Sequence, residues 1–142
     1  MRDTRSIMPE APESSSSQLR HVFVYGTLRA GGSNDIARFR PAAEFVGHAQ
    51  IAGTLYDLGP YPGATLGGDS RLVGEVYRVG TALEAQLDRL EEVQSDDEGE
   101  YRKRMVMVEV TGRMLDCLVY EIHPKRIVGR PVIGSGDWFR RG

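Results

Sequence analysis

The residues best placed to do chemistry in this chain lie in a strand-to-turn stretch, Tyr25-Gly26-Thr27-Leu28, and in the glycine-rich run that follows it. Gly26-Thr27-Leu28-Arg29-Ala30-Gly31-Gly32-Ser33 nearly spells a phosphate-binding loop, but Gly32 stands where the lysine is required. Without that ammonium, β- and γ-phosphates lose their main charge partner. The G-x-G-x-x-G dinucleotide fingerprint is missing as well. What remains is a glycine that lets backbone approach a ligand closely, with successive N–H groups able to hold an anionic oxygen. An ordinary tight turn is the competing reading.

Two carboxylates could serve such a turn. Glu91 stands four residues after Leu87, at the edge of an apolar stripe made by Leu83, Leu87 and Leu90. It also falls at the C-terminal end of the same helical pattern, where carbonyl dipoles repel a negative charge. Burial and dipole together would raise its pKa toward values useful for proton transfer. Glu92 is rotated outward and is expected in solvent. Glu75 is the rival acid, alternating with Val73, Tyr77 and Val79 on one strand face. For either residue a solvated carboxylate is the ordinary alternative.

Searches for other chemistry return little. His21, His48 and His123 are scattered singly, with no Cys or His pair at metal-ligand spacing. Cys117 alternates with Leu115 and Val119 and reads as an inert core side chain. No G-x-S-x-G elbow occurs, and Asp96-Asp97-Glu98 lacks calcium-loop spacing.

The elements that must position these groups follow from pattern. Residues 1–18, with Pro9, Pro12 and four serines from Ser14 to Ser17, offer nothing to bury and are expected to form a disordered tail. The domain is expected to span 19–142. His21 to Tyr25 reads as a strand ending at Gly26, followed by a short helix through Arg38 capped by Ser33 or Asn34. Ala43 to Leu58 is a weaker extended region, and Gly59-Pro60-Tyr61-Pro62-Gly63 is expected to be a loop throughout. Leu72 to Val79 is a second strand. Thr81 to Glu92 reads as the one convincing helix, with Thr81 and Glu84 forming a capping box. Tyr101 to Val110 and Met114 to Ile122 form a hairpin across Thr111-Gly112-Arg113. The aromatics of the closing segment Ile133 to Phe139 should dock it on the body. Strands with one real helix point to an α+β fold, and the antiparallel pairs and scattered glycines favour a small curled sheet or barrel.

Composition sets the outer bounds. The chain has 142 residues, is 40% hydrophobic and 27% charged, and carries 18 basic against 20 acidic residues for a net charge of -2. That balance gives no reason to expect nucleic acid or an anionic membrane as partner. With a single cysteine no internal disulfide can form, so a reducing cytoplasm is the expected compartment. No apolar run approaches a membrane span, and no signal-peptide core follows Arg2 and Arg5.

Six stretches recur together in a known order: Val22-Phe23-Val24-Tyr25-Gly26-Thr27-Leu28-Arg29, Gly53-Thr54-Leu55-Tyr56-Asp57-Leu58-Gly59 with Tyr61-Pro62-Gly63, Val73-Gly74-Glu75-Val76-Tyr77, Leu87-Asp88-Arg89-Leu90-Glu91, Tyr101-Arg102, and Ser135-Gly136-Asp137-Trp138. In that order the chain resembles the γ-glutamylcyclotransferase-like family, and within it the small γ-glutamylamine cyclotransferase branch. The resemblance implies a small mixed β-barrel with flanking short helices and a cavity at one end. It implies that backbone N–H groups of Tyr25, Gly26, Thr27 and Leu28 bind the substrate's α-carboxylate or carbonyl. It makes Glu91 the catalytic acid/base, and Tyr101 and Tyr120 cavity-lining residues that present hydroxyls. Neither a metal nor an organic cofactor is implied, and the partner is a small γ-glutamyl amine or peptide, converted to 5-oxoproline and a free amine.

The chain departs from the family pattern at three places. Glu92 replaces a common glycine, Asp35 stands where histidine is frequent, and the acidic segment Gln94 to Glu100 lengthens the loop beside the site. A non-catalytic small-ligand-binding barrel of the same fold is the first alternative, and an interaction module working through the Ser-rich tail is the second. The leaving amine and the oligomeric state are left open by the sequence.

Overall fold

The computed structural model describes residues 19–91 and 100–140. The expected tail, Glu92 and most of the acidic segment therefore lie outside the described residues. Five strands form one sheet: β1 (Arg20–Val24), β2 (Glu44–Asp57), β3 (Pro62–Val79), β4 (Tyr101–Val110) and β5 (Arg113–Ile122). Their order is β2-β3-β1-β5-β4. Among the described residues only the β1–β5 pairing, through His21↔Cys117 and Val22↔Leu118, is parallel, so the sheet is mixed.

Strand alternation sorts side chains onto two buried faces. Phe23, Ile51, Leu55, Leu72, Val76, Val108, Val110, Cys117 and Val119 share one cluster with Ile133 and Trp138 of the closing segment. Residues from both sheet edges meet in that cluster, so the sheet curls around it. Gly47 of β2 lies so close to β4 that a Cβ there would stand 2.6 Å from Val110 Cγ1. No ladder joins the two edges among the described residues, and the expected barrel is more accurately a strongly curled open sheet. On the other face Val22, Val24, Tyr77, Val79, Leu118, Tyr120 and Ile122 pack against helix α1 (Thr81–Leu90) through Leu83 and Leu87.

Several local expectations are corrected. Pro62 and Gly63 open β3 rather than belonging to the preceding loop, pairing with Asp57 and Tyr56. A proline at the first position of a strand loses no ladder bond that it needed to donate. Helix α1 is capped by Gly80 without a side-chain bond, so Thr81 lies one residue too far inside to close a capping box. Glu84 instead accepts from Lys103 Nζ at 2.6 Å and pairs with Arg20 at 3.1 Å, tying the helix to the sheet. The helix stops at Leu90, and Leu90 is 36% exposed rather than part of the buried stripe. The short helix is a single 3-10 turn, Ile36–Arg38, and its cap is Asp35, not Ser33 or Asn34. The Asp35 carboxylate accepts from Ala37 N at 2.9 Å and from Gly31 N at 2.8 Å. The β4–β5 hairpin turns on Thr111 and Gly112, both at positive φ, the backbone that a two-residue turn of this hand requires.

Candidate active site

At one end of the sheet a cavity of about 180 Å³ opens between the turn after β1, the end of α1, the 58–61 loop and the start of β4. Tyr25, Gly26, Thr27, Leu28, Glu91, Tyr101 and Tyr120 all line it, so the residues proposed from sequence converge on one space. Phe23, Val24, Asn34, Tyr61, Pro62, Leu90 and Glu100 complete the wall.

The turn is held open by its neighbours. Its carbonyls are occupied: Gly26 O accepts from Arg29 N, Thr27 O from Asn34 N and Leu28 O from Ile36 N, at 2.9 to 3.0 Å. Among the described residues no protein acceptor takes the amide of Gly26, Thr27 or Leu28. Unclaimed amides on a cavity-lining turn are the kind of donor from which a backbone nest for an anion is built. A Cβ on Gly26 would stand 2.7 Å from the ring of Pro62, so the glycine is a matter of close approach rather than of unusual φ.

Behind the turn lies a network that sequence reasoning did not foresee. Arg29 is 7% exposed and donates through Nε to Glu75 Oε2 at 3.0 Å and through Nη1 to Asp137 Oδ1 at 2.7 Å. Its guanidinium also lies over the Phe139 ring at 4.3 Å. Glu75, the rival acid of the sequence reading, further accepts from Ala30 N at 2.9 Å and from Tyr77 OH at 3.0 Å. Buried and fully partnered, it anchors the turn and does not line the cavity. Against the upward push of burial, the Arg29 guanidinium and the Phe139 amide hold Asp137 below the usual carboxylate range. The signal available in sequence was the arginine after Leu28 and the aspartate before Trp138, which nothing local connects.

The tyrosines prove less free than expected. Tyr25 OH donates to Tyr120 O at 2.6 Å and accepts from Ala64 N at 3.2 Å. Tyr101 OH donates to Pro62 O at 2.6 Å, and Tyr120 OH to Asp88 Oδ1 at 2.7 Å. Burial drives all three phenols well above their ordinary value, with nearby acids adding to the effect. Their rings shape the cavity while their protons are committed to the frame.

Glu91 is in a different situation. It is the C-cap of α1, its amide bonded to Leu87 O at 2.9 Å and its side chain at the cavity wall, partly shielded from solvent. Burial, followed by the negative charge of Glu100, pushes its pKa up to about 8. Among the described residues no ion pair or hydrogen bond neutralises its carboxylate, and Glu100 shares the same wall.

A curled mixed sheet thus carries a glycine turn and a carboxylate of raised pKa on the wall of one small cavity. Comparison with known proteins gives the family. The model of the family described as gamma-glutamyl cyclotransferase, AIG2-like, matches residues 22–140, and the chain belongs to that family. A Vibrio cholerae protein named putative gamma-glutamylcyclotransferase is 38% identical over 128 residues, covering 84% of this chain and 96% of that protein. The Bos taurus gamma-glutamylaminecyclotransferase is 32% identical over 149 residues, covering 94% and 85%. The solution structure of YtfP from Escherichia coli superposes with a TM-score of 0.58 at 33% identity, covering 85% and 97% of the two chains. Among the described residues no helix is long and apolar enough to cross a membrane.

Proposed function

We propose that this protein cyclises a γ-glutamyl amine or peptide, releasing 5-oxoproline and a free amine, with Glu91 as the general acid/base. The observation that carries the reading is the sharing of one cavity by the Gly26–Leu28 amides and a carboxylate of pKa about 8. Family membership supports the reaction class.

The turn amides receive the substrate's α-carboxylate, which fixes the α-carbon and aims the γ-carbonyl back toward the α-nitrogen. Folding the substrate this way replaces a bimolecular encounter with an intramolecular one. The α-ammonium gives one proton to ionised Glu91, and the freed lone pair attacks the γ-carbon. A carbon–nitrogen bond forms as the carbonyl π electrons move to oxygen. Glu91 gives its proton to the leaving nitrogen, and the old carbon–nitrogen bond breaks as the carbonyl reforms; Glu91 then takes the attacking nitrogen's second proton and passes it to the departing amine. Across the cycle the attacking nitrogen loses two protons and the leaving amine gains two, so the carboxylate ends as it began. A carboxyl group near pKa 8 is suited to this exchange, since α-amines titrate around roughly 8 and matched partners lower the cost of transfer.

The test is 5-oxoproline release from a panel of γ-glutamyl amines and peptides. Glu91→Gln is expected to lower kcat by about 10²–10⁴ while the fold survives. Undiminished turnover in that variant removes Glu91 from the mechanism. Saturable ligand binding with no turnover of any panel member favours a non-catalytic binding domain instead.

A further inference from the structure

Glu100 differs from the paired acids among the described residues. It is 9% exposed, it lines the cavity, and its position is fixed by His123 N donating to its backbone carbonyl at 2.9 Å. Its carboxylate accepts one hydrogen bond, from Tyr61 OH at 2.5 Å, and no lysine or arginine pairs with it among the described residues. A phenol neutralises no charge, and a shielded carboxylate without a cation is costly. The comparable acid Glu75 has a guanidinium, a backbone amide and a phenol. The other titratable residues lining the same cavity are Glu91, Tyr25, Tyr61, Tyr101 and Tyr120, none of them cationic.

We infer that Glu100 is the recognition site for the substrate's α-ammonium, so that the missing cation of the cavity is brought by the ligand. This rests on the cyclotransferase reading and adds a second carboxylate to it. One ammonium N–H points to Glu100 and another to Glu91. After Glu91 takes its proton, the neutral amine stays bonded to Glu100 through a remaining N–H, and its lone pair is directed at the γ-carbon. Glu100 also keeps Glu91 a strong enough base by repulsion until the ammonium arrives between them. The arrangement selects for a free α-amine and rejects N-acylated or des-amino analogues.

Two ligands separate this inference from the reading beneath it: L-glutamine and glutaramate, which has the same carboxylate and γ-amide but hydrogen in place of the ammonium. Equilibrium binding is measured on the full chain in the Glu91→Gln background, which blocks turnover and removes the other carboxylate from the comparison. With Glu100 present, glutamine is expected to bind about tenfold or more tightly than glutaramate, and adding Glu100→Gln should erase that preference without weakening glutaramate. A preference that survives Glu100→Gln, or no preference with Glu100 in place, overturns the inference. Failure of both ligands to bind sinks the site reading itself. In otherwise wild-type protein, Glu100→Gln should raise KM for a turned-over substrate about tenfold and move the acid limb of kcat/KM to lower pH. An unmoved limb together with an unchanged KM contradicts the role, whatever the binding data show.

Discussion

Two acidic regions serve the same turn, and they are built on opposite principles. Behind it, Glu75 and Asp137 surround Arg29 so that each carboxylate has a cationic partner and further donors. In the cavity, Glu91 and Glu100 share one wall with a single tyrosine hydroxyl, that of Tyr61 on Glu100, and no cation among the described residues. The first arrangement satisfies its charges and gives rigidity. The second leaves its charges under-satisfied, which is the basis for proposing a proton carrier at Glu91 and a cationic ligand at Glu100. Burial alone does not distinguish a structural acid from a working one; the count of partners does.

The contrast can be broken from either side. In the cavity, Glu91→Gln should cost the most turnover, as given above, yet leave melting undiminished, because it removes a charge that nothing compensates. On the paired side, Arg29→Ala should destabilise by about 3–5 kcal/mol in denaturant melts, since it strands two shielded carboxylates. A loss below 1 kcal/mol would mean that the network is not the anchor of the turn.

pH gives a finer probe. Glu91 has its folded pKa raised from 4.5 to about 8, so the folded state keeps a proton that the unfolded chain has already released. Its contribution therefore favours folding least at high pH: stability declines as pH rises from about 4.5, and the decline ends above about 8. Glu91→Gln should match wild type in melting temperature near pH 4 and exceed it near pH 8.5. Equal melting curves across that range would show that the carboxylate is not shielded. The smallest effect is expected at Tyr120→Phe, which removes the bond to Asp88 but leaves Lys103 on that carboxylate. About 1 kcal/mol of stability and a modest change in kcat would follow. A large loss of turnover would instead place the Tyr120 hydroxyl in the chemistry.

Much of the frame was legible beforehand because it depends on local pattern. The alternation in β4 and β5, the β-branched run of β1 and the Leu83–Leu87 spacing of α1 each specify an element through neighbours a few residues apart. Where prediction slipped, a longer-range contact won. Thr81 looked like a cap, but Gly80 begins the helix while Glu84 turns to Lys103 and Arg20. Pro62 looked like loop, but pairing with Asp57 draws it into β3.

The turn at Tyr25 to Leu28 was recognisable from residue types alone, as was its unsuitability for nucleotides. Glycine, a missing lysine and the end of a hydrophobic strand are all one-dimensional facts. Separating Glu91 from Glu75 is different in kind. Both acids border apolar stretches, and their local sequences give each a claim. The difference arises from Arg29, 46 residues before Glu75 in the chain, and from Glu100, which the fold carries to the wall beside Glu91. A carboxylate's pKa and role depend on which charges and donors lie within a few ångströms, and chain distance does not encode that. Sequence determined where a site could form; only the folded sheet decided which acid is neutralised and which lines the cavity with no cation beside it.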